Sequence, residues 1–116
     1  MNKTLLLLTC CMIGVAACNK EPTTTEPEQP APCHPTYVTD IKTIVSTRCA
    51  ISGCHDDNSG VVAFTTYAPL KERADNGRIK SYVFELKIMP PASAAQLTDD
   101  EKRLLQCWLD NGAPEN

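Results

Sequence analysis

The chain has 116 residues, 42% hydrophobic and 5% aromatic, with 11 Lys or Arg against 14 Asp or Glu and a net charge of −3 at pH 7. That length holds a single domain of ordinary size, and the absence of any basic block or stripe excludes a nucleic-acid binder on electrostatic grounds. Seven cysteines are many for so short a chain, and their positions decide which chemistry is open to it.

Residues 1–17 read as a signal peptide. Lys3 supplies the positive start and Thr4 to Ala17 an apolar, Leu-rich core that is too short to span a bilayer. The core ends in Val15-Ala16-Ala17-Cys18, which resembles the bacterial lipobox, in which the cysteine is acylated and becomes the first residue of the mature protein. The alternative is ordinary cleavage after Ala17 with a free Cys18; on either reading Cys10 and Cys11 leave with the removed segment. Residues 18–32 are then a lipidated cysteine and a tether of Glu, Pro, Thr and Gln, an extended spacer that cannot bury a core. The expectation is a domain outside the cytoplasm, held to a membrane only by its lipid. Asn19 stands where, by resemblance to enterobacterial lipoproteins, an Asp favours inner-membrane retention, so the outer membrane is preferred.

Residues 33–116 form the domain, with nine basic against 11 acidic side chains counted along the sequence. Tyr37, Ile41, Ile44 and Val45 recur at i, i+4, i+7 and i+8 and predict an amphipathic helix over 37–47. It leads into Cys49-Ala50-Ile51-Ser52-Gly53-Cys54-His55. Two thiols followed by an adjoining histidine read as a covalent haem attachment site, in which the thiols add to the vinyl groups and the imidazole binds iron. Four residues separate the cysteines instead of the usual two. The cysteines therefore cannot share a helical face, and the loop must bulge at Ser52 and Gly53. The run alone leaves a Cys49 to Cys54 disulfide, a zinc site completed by His34 or Cys33, or two unrelated cysteines as alternatives.

Asp56 to Gly60 is a polar turn and Val61 to Phe64 a short extended apolar stretch. Thr66 is positioned to cap a helix from Tyr67 to about Ala74, which Asn76 and Gly77 end. A helix over 78–86 then sets Ile79, Tyr82, Val83 and Leu86 on one side, and Pro90 and Pro91 lie beyond its end. The last helix opens with Thr98-Asp99-Asp100-Glu101 at capping-box spacing, buries Leu104, Leu105, Trp108 and Leu109, and ends at Gly112. Asp56 with Asp57 and Asp99 with Asp100 are read as turn and cap charges, and no nucleophile–base set or phosphate loop is present, so no enzyme is expected.

If Cys18 is acylated and Cys49 and Cys54 hold haem, Cys33 and Cys107 remain and pair in an oxidising compartment; two separate thiols are the alternative. Met89 is the one methionine beyond the signal peptide and hence the candidate thioether ligand to iron, against His34 or an open position, although such a methionine is ordinarily core filler.

Taken together, CAISGCH at 49–55, F-T-T-Y at 64–67, M-P-P at 89–91, and L-T-D-D-E with W-L-D-N-G-A-P within 97–114 resemble the small class I type c-type cytochrome domain, in particular the short lipoprotein versions found in Bacteroidetes. The resemblance covers roughly residues 37–116. It implies an all-α domain of three to four helices around one covalent haem c, with His55 the proximal and Met89 the distal iron ligand. The expected function is a lipid-anchored, monomeric electron carrier between redox partners of the cell envelope. The alternatives are a haem-free binding module stapled by disulfide or zinc on its tether, and a peroxidase-type haem enzyme, which needs an open position in place of Met89.

Overall fold

The computed structural model describes residues 33–116; the segments read above as a signal peptide, a lipidated Cys18 and a tether lie outside the described residues. The described residues are helical and contain no strand, in keeping with an all-α chain. A π-helical turn at Tyr37–Ile41 runs into helix α1, Lys42–Arg48. Helix α2 is Tyr67–Asp75, a second π-helical segment is Lys80–Glu85, and helix α3 is Asp99–Asp110. None of these helices is long and apolar enough to cross a membrane.

The opening helix buries Tyr37, Ile41, Ile44 and Val45, as the spacing requires. Its first turn is wider than α-helical, and its cap is adjusted to match. The Thr36 hydroxyl accepts from the Thr39 N–H at 3.3 Å, and Asp40, one residue later than the usual return carboxylate, accepts from the Thr36 N–H at 3.0 Å. The unpaired first-turn donors Tyr37 N–H and Val38 N–H reach the carbonyls of Pro114 and Glu115, each at 3.0 Å.

Helix α3 has the cap its sequence announces. Thr98 Oγ1 accepts from the Glu101 N–H at 3.2 Å, and the Glu101 carboxylate accepts from the Thr98 N–H at 2.7 Å. Leu105 and Trp108 are fully buried and Leu104 and Leu109 partly so. The chain then turns back. Trp108 Nε1–H donates to the Pro114 carbonyl at 2.8 Å and the Tyr67 hydroxyl to the Ala113 carbonyl at 2.7 Å, so residues 113–115 form a strap across the opening helix, α2 and α3.

Two expectations need correction. Thr66 does stand at the N-cap of α2, but its side chain makes no capping bond. The predicted α-helix over 78–86 is π-helical through Lys80–Glu85, closed by a Leu86 N–H to Ser81 carbonyl bond at 2.8 Å. Bonding to i−5 widens the turn, so residues spaced for an α-helical face no longer stack on one side. Ile79 is buried, Val83 is half-buried, and Tyr82 and Leu86 are exposed.

Cys33 and Cys107, 74 positions apart, are joined by a disulfide with their Cα atoms 6.1 Å apart. The bond fastens the domain's entrance to its last helix. The chain-entropy model for a loop of this length gives about 4 kcal/mol of stabilisation. We expect the C33S/C107S variant to lose roughly 2–5 kcal/mol in urea denaturation with little change in helical circular dichroism; an unchanged midpoint would contradict this.

Candidate functional site

Helix α1 ends at Arg48, and the seven-residue run that follows is a loop. Cys49 N–H still bonds the Val45 carbonyl at 2.9 Å, but Cys49 itself leaves helical geometry at φ −122°. The four residues between the cysteines bulge outward, Gly53 takes φ +79°, and the loop is closed by a His55 N–H to Cys49 carbonyl bond at 3.0 Å. The longer gap is thus absorbed by a left-handed glycine turn that returns His55 to the first cysteine.

His55 is held on both sides. Its Nδ1–H donates to the Val62 carbonyl at 2.8 Å, and since a carbonyl can only accept, this bond fixes the tautomer and leaves Nε2 with a free lone pair. Phe64 stacks on the ring at a centroid distance of 4.3 Å and 22° between planes, and its N–H bonds the His55 carbonyl at 2.9 Å. The segment read as a short extended stretch, 61–64, is irregular backbone that clamps the imidazole.

His55 opens on a cavity of about 560 Å³, inside the roughly 300–1,000 Å³ typical of cofactor and small-molecule sites. Cys49, Cys54 and Met89 line the same cavity, so four of the residues singled out in the sequence are gathered there from segments as far apart as 49 and 89. The remaining wall is predominantly apolar and includes the core residues Val45, Leu70, Ile79, Leu97 and Leu105. Both thiols are free, so the Cys49 to Cys54 disulfide is not formed. His34 is exposed and does not line the cavity, and Cys33 is committed to Cys107. Among the described residues no three His, Cys, Asp or Glu side chains are grouped to hold a metal ion, so the zinc set left open by the sequence is not assembled.

Met89 is carried by a backbone turn. Lys87 adopts φ +55°, and the N–H groups of Ile88 and Met89 both bond the Tyr82 carbonyl, at 2.9 and 3.1 Å. The chain doubles back over the end of the second π segment, which brings the thioether to the cavity's edge with 38% of the residue exposed.

Sequence reading missed the ion pair beside Cys49. Arg48 Nε sits 3.1 Å from each Glu101 carboxylate oxygen, joining the end of α1 to the cap of α3. Burial works to raise the Glu101 pKa, but its bonds to Thr98 and Arg48 outweigh burial and hold it below the ordinary carboxylate range. The partners lie 53 positions apart, and no local pattern links them.

Burial, and secondarily the charges of Cys54 and Glu101, push the Cys49 thiol up to about 11 from an ordinary 9.0. The thiol is therefore neutral at physiological pH. The neutral form's preference for the folded state is fully present below 9.0 and is lost as the pH rises through about 11. In the folded chain with both thiols free, alkylation of Cys49 by iodoacetamide at pH 9 should be slower than in the urea-unfolded chain, and peptide mapping that found equal rates would contradict the burial. Comparison with family models, curated proteins and solved structures finds no match.

Proposed function

We propose that the domain is a monohaem c-type cytochrome that carries single electrons between partners of the cell envelope, anchored by a lipid on Cys18. One observation carries the reading: Cys49, Cys54, His55 and Met89 line a single, largely apolar cavity, with the His55 imidazole fixed so that Nε2 stays available. These residues fit a covalently held iron porphyrin. Cys49 and Cys54 are unbonded thiols at the edge of the cavity, suited to two thioether links. Bound there, haem supplies a one-electron iron couple.

The rest of the chemistry belongs to the chain. His55 would hold the iron through its Nε2 lone pair, and the Val62 carbonyl on Nδ1 raises the basicity of the ring and keeps it from rotating. Met89, on a segment anchored to the Tyr82 carbonyl, would be the second residue to hold the iron, and a thioether in that role would favour the reduced state relative to a second imidazole. Val45, Leu70 and Leu105 exclude water from the cavity and lower the local dielectric. With His55 and Met89 both holding the group, no open position would be left on it for a substrate. The domain transfers electrons and makes no bonds.

His34 is the competing axial ligand, and its position off the cavity wall favours Met89. In a host with the haem attachment machinery, intact mass should show one haem on the chain, and C49A/C54A should abolish it. M89A should lower the reduction potential and alter the low-spin spectrum while H34A leaves both unchanged. A correctly folded product of bare polypeptide mass would leave the disulfide-stapled binding module as the reading.

A further inference from the structure

The charged side chains that line the cavity are Arg48, Arg73 and Arg78, and all three are arginines. No Asp or Glu lines it, although the domain carries more acidic than basic residues. The neighbouring lysines Lys71 and Lys80 are left off the wall. Positive charge has been concentrated at one otherwise apolar site, in the residue type whose planar fork matches a carboxylate with two parallel hydrogen bonds.

The three are not equivalent. Arg48 is committed to both oxygens of Glu101. Among the described residues Arg73 has a carboxylate neighbour only in the adjacent Glu72, at 3.6 Å and with that side chain 67% exposed, a pairing that water largely screens. Arg78 makes no ion pair with a carboxylate among the described residues; its backbone N–H bonds Asn76 Oδ1. Arg73 and Arg78 flank the tight turn at Asn76 and Gly77, where Gly77 takes φ +76°. Both arginines on either side of that turn line the cavity. Leaving such groups beside an apolar cavity without a fixed counter-charge is costly unless the occupant brings one.

We propose that the cavity takes an amphiphilic ligand with an apolar body and a carboxylate-bearing edge, and that Arg73 and Arg78 hold that edge. Identification of the edge with the two propionates of haem rests on the reading above; the charge of the ligand does not. Arg73 and Arg78 are positioning residues. They orient the ligand and keep its carboxylates ionised, and with haem in the cavity their positive charge would favour the reduced iron.

The test compares the reduction potential of the full-length holoprotein with that of R73Q/R78Q over about pH 5 to 8, a range through which an unpaired carboxylate of raised pKa titrates. Haem mass should be unchanged, because attachment runs through Cys49 and Cys54. The variant's potential should be lower at neutral pH. It should also fall more steeply with rising pH, since carboxylates that have lost their partners release protons within that range. R73K/R78K, which keeps the charge, should recover most of the potential. K71Q/K80Q, which removes equal charge off the wall, should shift it less. Equal shifts in the two Gln variants, or none, would overturn the proposal. If the wild-type chain carries no haem, the cytochrome reading fails by itself, and calorimetry with dodecanoate against dodecanol then decides the ligand's charge. A preference for dodecanoate of roughly tenfold or more, lost in R73Q/R78Q, upholds a carboxylate-bearing ligand; equal binding or none overturns it.

Discussion

Val45, Leu70, Ile79, Leu97 and Leu105 belong both to the buried cluster and to the wall of the cavity. They are half of the ten buried hydrophobic residues, so the packing of the core and the shape of the site cannot vary independently. A domain of this size buries only about 60% of its unfolded surface, and here part of that small core is given over to enclosing a cavity. Stability must therefore come from elsewhere. The disulfide from Cys33 to Cys107, the fully buried Trp108 and the carbonyls of residues 113–115 supply it along the edge formed by the opening helix and α3.

The elements that the sequence discloses are those whose signals are local. The spacing of Tyr37, Ile41, Ile44 and Val45, the Thr98 to Glu101 box and the Trp108 stripe each depend on residues within two turns, and each is present in the fold. The 78–86 segment defeated the same reasoning because its spacing was judged on a 3.6-residue period, whereas the backbone bonds at i−5. At the site, the chemical groups Cys49, Cys54, His55 and Met89 were legible as residue types, but their supports were not. The Val62 carbonyl is backbone and leaves no mark in the sequence. The Arg48 to Glu101 pair spans 53 positions, and the presence of Arg73 and Arg78 on the wall emerges only when α2 and the turn after it are folded.

The electrostatics around Cys49 follow from that unseen pair. Glu101 closes the cap of α3, holds Arg48, and places negative charge near the half-buried Cys49 thiol. One carboxylate thus couples the start of the last helix to the end of the first. An exposed ion pair of the same geometry would contribute little. This one matters because it joins two elements at the rim of the site.

The carboxyl-terminal strap orders events in time. The first-turn donors of Tyr37 and Val38 find their acceptors at Pro114 and Glu115, the Tyr67 hydroxyl finds its acceptor at Ala113, and Cys33 waits for Cys107. A ribosome makes the early partners first. Until residue 115 has emerged, the opening helix has no partner for these groups, and its apolar face has no α3 to bury against. Closure of such high sequence separation is entropically late. The contacts that satisfy the opening helix therefore form only after residues 107–115 have been made.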